Sequence, residues 1–91
     1  MKPSNNEIVI LKCLDPGYKY VARDSNGDLN VYELKPKKSI LKGFWDGERY
    51  AQINMFRNHF KWISWDDKEP VLIKDVIMNG RDKSRATSVE N

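Results

Sequence analysis

Two short segments of alternating apolar and polar residues, 18–23 and 29–35, flank the polar tetrapeptide Asp-Ser-Asn-Gly at 24–27. Both segments are rich in Tyr, Val and Leu, which favour strands, so the pattern predicts a β-hairpin. Asp at the first turn position and Gly at the fourth are typical of a type I turn followed by a left-handed glycine. The Asp side chain is expected to bond the backbone two residues later.

The length of the loop sets the register of this hairpin. A competing two-residue loop at Asn26-Gly27 would pair Tyr20 with Glu33, whereas a three-residue loop keeps the aromatic residues together on one face. We favour the three-residue loop, which places Lys19 opposite Glu33 on the other face. Its pairs are Arg23–Leu29, Val21–Val31, Tyr20–Tyr32, Lys19–Glu33 and Tyr18–Leu34. Its predicted aromatic face holds Tyr18, Tyr20, Ala22, Tyr32 and Leu34.

A helix is predicted near the N-terminus, where Ser4 and Glu7 have the spacing of a capping box. Apolar residues then recur at helical spacing, and Asp-Pro-Gly at 15–17 would end the helix. The β-branched run at 8–10 would instead suit a strand. We favour the helix over this alternative.

The second half of the chain predicts further strands at 39–45, 48–54 and 60–65. Asp46-Gly47 is typical of a hairpin turn between the first two of these strands. In the last strand, Phe60 and Trp62 are expected on one face and Ile63 and Trp65 on the other. A connection at 55–59 with one possible helical turn, an apolar segment at 71–73 and a short helix at 75–77 complete the prediction.

Length and composition predict one small domain at 1–78, followed by a polar tail at 79–91 that we expect to be disordered. The predicted fold class is α+β. It consists of a mainly antiparallel β-meander of about four or five strands with short N- and C-terminal helices. No apolar run reaches the about 18 residues of a membrane span, and no signal-peptide cleavage pattern is visible. We therefore expect a cytoplasmic protein that does not bind membranes.

The sequence contains no set of residues typical of an active site. His59 is the only histidine, and no motif surrounds it, so we interpret it as a surface or loop residue. Cys13 is the only cysteine, which excludes an intrachain disulfide, and we expect it to be buried as a small hydrophobic residue. We predict a non-enzymatic protein without cofactor or metal.

Acidic residues cluster at Asp66, Asp67 and Glu69. Such clusters can hold Mg²⁺ or Ca²⁺, but this one lacks the spacing of an EF-hand loop. A solvated turn, in which Asp66 caps backbone amides, is the favoured interpretation. If the turn has a function, contact with a basic partner is expected.

Basic residues are densest at 35–42, although the formal net charge of the chain is only +3. Lysines interleaved with aromatic rings are typical of proteins that bind single-stranded nucleic acid. The favoured alternative is an edge strand that lysines protect against association. The tryptophans are numerous for this length. Core packing is favoured for any one of them, but as a group they indicate an interaction surface. The candidate residues are Lys35, Lys37, Lys38, Lys42, Phe44, Trp45, Trp62 and Trp65, together with the acidic turn.

Residues 17–36, GYKYVARDSNGDLNVYELKP, and the later segments IN…F…KWISWDDKEPVLIKDVI carry a family resemblance. The chain resembles a family of small proteins from phages and prophages of Gram-positive bacteria, with a "GYKYIVRD-turn-LYAYENKP" hairpin and a "KWEDEEP" segment. The second tryptophan in Trp62-Ile63-Ser64-Trp65 and the longer basic tail depart from this pattern. The resemblance covers roughly residues 11–77. It implies a phage protein that acts in the cytoplasm of an infected or lysogenic bacterium.

The function expected from these observations is that of a non-catalytic phage accessory protein that binds a host or phage protein. An inhibitor of a bacterial defence system is one example. The first alternative is a nucleic-acid-binding protein that uses residues 35–45 and the basic tail. The second is an oligomeric sponge that holds a nucleotide signal in a pocket lined by aromatic and basic residues. A homo-oligomer is compatible with each of these.

Overall fold

The first helix, α1 (Asn5–Cys13), begins with the predicted capping box in the computed structural model, which describes residues 3–79. The Ser4 hydroxyl accepts from the Glu7 amide at 3.1 Å, and Glu7 Oε1 accepts from the Ser4 amide at 3.0 Å. The helix prediction is therefore confirmed, and the strand alternative at 8–10 is wrong. Cys13 is exposed, so its predicted burial is also wrong, because the last turn of α1 directs it away from the core.

The predicted hairpin forms from β1 (Tyr20–Arg23) and β2 (Leu29–Tyr32). Its register is confirmed, with Arg23 opposite Leu29 and Tyr20 opposite Tyr32. The Gly27 amide donates to the Asp24 carbonyl at 3.0 Å, and Gly27 has a φ of +94°, as a left-handed turn position requires. The side chain that bonds the turn backbone is that of Asn26, whose Oδ1 accepts from the Asp28 amide, and not that of Asp24.

The hairpin ladder ends before the predicted pair Lys19–Glu33. The Glu33 amide donates instead to the Arg49 carbonyl at 3.1 Å, and Arg49 Nη1 lies 3.8 Å from Glu33 Oε1. The Lys19 amide donates to the Tyr32 carbonyl at 2.8 Å, so Lys19 and Tyr20 both lie opposite Tyr32 and Lys19 is not paired with Glu33. The predicted aromatic face is correct for Tyr20, Ala22 and Tyr32 but wrong at its end. Tyr18 packs against the main core, and Leu34 is exposed.

Two antiparallel sheets confirm the α+β class. The elements after the hairpin are β3 (Lys37–Ser39), β4 (Phe44–Asp46), β5 (Tyr50–Gln52), a 3₁₀ turn (Asn54–Phe56), β6 (Val71–Leu72) and helix α2 at 73–79. The larger sheet has the order β5-β2-β1-β6, and the smaller one pairs β3 with β4. The predicted polar tail lies outside the described residues, except for its first residue. No helix within residues 3–79 is long and apolar enough to cross a bilayer.

The predicted strand at 39–45 is wrong because the chain reverses direction inside it. The Gly43 amide donates to the Ser39 carbonyl at 2.9 Å, and Gly43 has a φ of +79°. The residues on either side of this turn, 37–39 and 44–46, therefore pair with each other as β3 and β4. The predicted turn at 46–47 does not form a hairpin, since β4 and β5 belong to different sheets.

The predicted strand at 60–65 is also wrong, because this segment is an irregular loop. The guanidinium of Arg23 takes the place of a neighbouring strand. It donates to the carbonyls of His59 and Ile63, both at 2.9 Å, and to that of Phe60 at 3.1 Å. Phe60 has a φ of +59°, which brings Phe60 and Ile63 into the same core rather than onto opposite faces.

The hairpin is buried on both faces. Its inner face contributes Val21, Leu29 and Val31 to the main core, beneath α1, α2 and the loop at 60–65. Its outer face carries a second cluster of Ala22, Tyr32 and Trp45, which β4 covers. This second cluster positions the β3–β4 hairpin on the body of the protein.

Candidate interaction site

The β3–β4 hairpin presents apolar side chains to solvent at its end. We call residues 40–44 the hairpin apex. Ile40 is 78% exposed, Leu41 is fully exposed, and Phe44 is also exposed. Isolated exposed apolar residues are common, but three of them on one five-residue projection are typical of a contact surface.

Trp45 anchors the apex to the body of the protein. Its indole is buried in the second cluster, and its Nε1 donates to the Arg23 carbonyl at 3.2 Å. Its backbone amide donates to Asp24 Oδ1 at 2.8 Å. Trp45 is one of the predicted interaction residues, and its burial excludes its indole from the exposed surface.

The turns of the two hairpins also contact each other directly. The amide and the hydroxyl of Ser25 both donate to the Gly43 carbonyl, at 3.0 and 2.7 Å. The apex therefore projects from a turn whose backbone is held by hydrogen bonds. Less conformational entropy is lost on binding when a contact surface is held in this way.

Lys38 has a structural role within this hairpin. Its Nζ lies 4.5 Å from the centroid of the Trp65 ring and 5.3 Å from that of Trp45, and it donates to the Trp65 carbonyl. A lysine held between two indoles is stabilised by cation–π attraction. Trp65 is thus partly buried as a cover over Trp45.

The other predicted lysines do not form one basic patch. Lys35 forms an ion pair with Glu69 at 2.8 Å, whereas Lys42 Nζ lies 5.8 Å from the Phe44 centroid. Lys37 is exposed on β3 opposite Asp46. Two lysines of the predicted patch remain, Lys37 and Lys42. Within residues 3–79 they form neither an ion pair nor a contact with Trp65.

The acidic turn is solvated, as predicted, but its members have different partners. Asp67, rather than Asp66, accepts from a backbone amide, that of Ser64, at 3.1 Å. The Asp66 amide donates to the Ser64 hydroxyl, and the Asp66 side chain is exposed. No three His, Cys, Asp or Glu side chains in the described part of the chain are placed to hold a metal ion.

Trp62 and His59 lie away from the apex, on the side of the molecule near α1. The Trp62 indole donates to Glu7 Oε1 at 2.9 Å, which ties the loop at 60–65 to the helix. His59 is exposed in a loop, as predicted. Neither residue is part of the same surface as Lys42 and Phe44.

A pocket of about 460 Å³ opens beside the apex, and we call it the Asn30 pocket. Asn30 projects from the centre of β2 and is only 5% exposed. Its Nδ2 donates to Asp24 Oδ2 at 3.2 Å, whereas its Oδ1 has no hydrogen-bond partner among residues 3–79. The residues around it include Asp24, Asp28, Tyr32, Phe44, Asp46, Tyr50 and Gln52.

The principal residues of both features were missed from the sequence. Ile40 and Leu41 were included in a strand, although Lys42-Gly43 directly after them indicates a turn. Asn30 is a polar residue between two apolar positions of a strand, which predicts exposure. Asn30 and Trp45, a residue on another sheet, donate to the same Asp24 carboxylate, so no local signal could have revealed the burial of Asn30.

The chain matches no family model, and neither a curated protein nor a solved structure shows significant similarity to it.

Proposed function

We propose that this protein is a non-catalytic interaction domain that binds another protein through the hairpin apex. The single observation that carries this proposal is the exposure of Ile40 and Leu41 on a hairpin that Trp45 anchors. Burial of each aliphatic side chain against a partner would contribute about 1.5–3 kcal/mol. An exposed apolar pair on a preorganised turn thus offers apolar area for binding at a low cost in conformational entropy.

The charges beside the apex define the complementary surface. Within the described residues, Lys37 and Lys42 are the basic residues on this hairpin that form neither an ion pair nor a contact with Trp65. The partner we propose is a protein with an apolar cleft bordered by acidic side chains. Its rim charges would increase the association rate more than they would strengthen the complex.

The resemblance to phage proteins supports a bacterial host as the setting for this interaction. A host or phage protein is then the partner, and a component of a bacterial defence system is one example. The nucleic-acid alternative receives less support from the geometry, because Lys35 pairs with Glu69 and Lys38 packs against Trp65. For the nucleotide-sponge alternative, the pocket beside the apex is unsuitable as a binding site, because carboxylates line it.

The proposal is tested by affinity capture from host lysate with the wild-type chain and the double variant Ile40→Ser, Leu41→Ser. Leu34→Ser is the matched control, since Leu34 is an exposed leucine outside the apex. A partner that binds wild type and the control, but not the double variant, is then purified. We expect its dissociation constant to rise at least tenfold for the double variant, and a chemical cross-link from residue 42 should reach it.

The proposal is overturned if every specific partner binds the double variant as tightly as it binds wild type, or if no specific partner is captured. Two further measurements identify the alternatives. Apex-dependent binding to anionic lipid vesicles would indicate a membrane surface. Binding to single-stranded DNA that weakens steeply with salt would indicate nucleic acid.

A further inference from the structure

The side chain of Asn30 leaves a hydrogen-bond acceptor without a donor in the middle of the fold. Asn30 is 5% exposed, and its Oδ1 has no partner while its Nδ2 donates to Asp24. A buried acceptor that is left unsatisfied costs about 1–3 kcal/mol. Rotation of the amide by 180° would not solve the problem, because Nδ2 would then lose its carboxylate acceptor. The neighbouring Tyr32 hydroxyl donates to the Trp45 carbonyl at 3.4 Å, so a donor from outside the described residues can supply the missing hydrogen bond.

The charge around this acceptor favours a cationic donor. Asp24 is 8% exposed, and its carboxylate accepts only neutral donors, namely the Trp45 amide and Asn30 Nδ2. Burial, followed by the nearby charge of Asp28, raises the pKa of Asp24. Asp28 and Asp46 also line the pocket, and Lys42 is the single cation among its described lining residues. An anion would meet repulsion there, whereas a cation would relieve it.

Aromatic rings form one side of the Asn30 pocket. The Tyr32 and Tyr50 rings lie 5.9 Å apart with an interplanar angle of 32°, and Phe44 lines the pocket near the apex. Tyr50 is 59% exposed, so its ring is accessible to a ligand. A planar cation can stack on such a ring while its edge donates hydrogen bonds to neighbouring acceptors.

We propose that the Asn30 pocket binds a guanidinium group, with Asn30 Oδ1 as the buried acceptor, the pocket carboxylates as its counter-charge and Tyr50 as its stacking surface. A guanidinium fits better than an ammonium because it is planar and carries several N–H donors along one edge. The group belongs either to an arginine side chain of a protein or to a free small molecule. If the group is an arginine side chain, the inference rests on the proposed function, and that arginine is part of the partner's contact surface. If the group belongs to a free small molecule, the inference does not depend on the proposed function.

The test is an NMR titration of the full ¹⁵N-labelled chain that follows the side-chain NH₂ signals of Asn30. The probes are N-methylguanidinium, methylammonium, free L-arginine, a blocked Gly-Arg-Gly peptide and the same peptide with the neutral isostere citrulline. We expect saturable shifts with N-methylguanidinium, at least tenfold weaker binding of methylammonium, and no saturation with the citrulline peptide. Tighter binding of the blocked arginine peptide indicates a protein side chain, and tighter binding of free L-arginine indicates a small molecule.

Variants separate this inference from the proposed function. Asp24→Asn removes the buried charge, and its Oδ1 can still accept from the Trp45 amide. Its Nδ2 then replaces Asp24 Oδ2, so the Asn30 amide must rotate for Asn30 Oδ1 to accept from it. We expect this variant to weaken guanidinium binding at least tenfold without unfolding the chain, and Tyr50→Leu to weaken it as well. The apex variant Ile40→Ser, Leu41→Ser should bind N-methylguanidinium as wild type does, so failure of the apex to bind a protein would leave this test unaffected.

Three outcomes overturn the inference. The first is a linear shift that does not saturate and is equal for the guanidinium and ammonium probes. The second is unchanged affinity in Asp24→Asn. The third is a long-lived water that gives cross-peaks to the Asn30 NH₂ group and that N-methylguanidinium does not displace, because water would then supply the missing donor.

Discussion

The backbone amide of Trp45 donates to the carboxylate of Asp24 at 2.8 Å, and this bond joins the β3–β4 hairpin to the turn of the β1–β2 hairpin. Both residues are buried. The carboxylate therefore acts in place of a strand neighbour for this amide. The position of the hairpin apex depends on this contact.

Replacement of Asp24 distinguishes its role as an acceptor from its charge. In Asp24→Ala, the Trp45 amide remains buried without an acceptor, so the free energy of unfolding should fall by about 1–3 kcal/mol. In Asp24→Asn, an oxygen remains for this amide, and the loss should be smaller. Urea denaturation followed by tryptophan fluorescence measures both. Equal losses for the two variants would show that the Trp45 amide does not depend on this oxygen.

Glu7 should make the stability of the protein depend on pH in the acid range. Its burial raises the pKa, but hydrogen bonds from the Trp62 indole and from the Phe60 and Ser4 amides outweigh burial, so the pKa lies below its usual value. An acid with a lowered pKa stabilises the folded state above its unfolded pKa. That contribution is lost as the pH falls through the folded pKa.

Glu7→Gln tests this linkage because it removes the charge with little change in shape. At neutral pH we expect a loss of about 1–3 kcal/mol, the usual effect of unsatisfied buried donors. The difference between wild type and the variant should shrink as the pH falls below the usual range of a glutamate. Chemical denaturation at a series of pH values measures it. A difference that stays constant with pH would exclude the charge as its cause.

Arg23 should not tolerate replacement by lysine. Its guanidinium donates to five carbonyls, at Gly27, Arg57, His59, Phe60 and Ile63. Lysine retains the charge but offers one point of donation rather than a planar fork, so most of these bonds are lost. Arg23→Lys should cost at least about 1.5–3 kcal/mol, the range for a hydrogen bond to a charged group.

Hydrogen exchange locates the effect of Arg23→Lys. Amides of the loop at 60–65 should exchange faster in this variant because the loop itself opens more often. The exchange rates of the α1 amides should rise only as much as the lower stability of the whole protein requires. Arg57→Lys is the control, because the one bond that the Arg57 side chain makes to a carbonyl, that of Asn26, is long at 3.4 Å. Similar losses for both variants would contradict the proposed role of Arg23.

Gly43 should be sensitive even to alanine. Its φ is +79°, and a Cβ added there would lie 2.7 Å from the Ser25 hydroxyl oxygen. The left-handed conformation costs an L-residue about 1–2 kcal/mol, and the clash adds to this cost. Gly43→Ala should therefore destabilise the wild-type protein more than it destabilises a Ser25→Ala variant, which lacks the clashing hydroxyl. Gly17→Ala, at a glycine without a left-handed φ, is the control and should have the smaller effect in thermal denaturation.

The features that the sequence predicts correctly depend on contacts between residues close in the chain. The capping box joins residues three apart, and the hairpin register follows from the turn at 24–27. Each is decided by local sterics and hydrogen bonds that the residue types themselves specify. The α+β class followed from these elements.

The errors lie where a distant residue supplies what the local sequence lacks. The loop at 60–65 has the alternation of a strand, yet Arg23, about 40 positions earlier, binds its carbonyls. The lysines at 35–42 form a cluster in the sequence, but Glu69 and Trp65 engage two of them in the fold. Neither partner could be identified from the pattern around these residues.

The sequence by itself determined the N-terminal helix, the first hairpin and its register, because each is closed by contacts within about ten residues. Only the tertiary structure decided that Trp45 is buried, that Ile40 and Leu41 project into solvent and that Asn30 Oδ1 is left without a donor. These outcomes depend on how the second hairpin packs on the first. The free energy of that packing comes from pairs such as Asp24 and Trp45, which are far apart in the chain and meet only in the folded state.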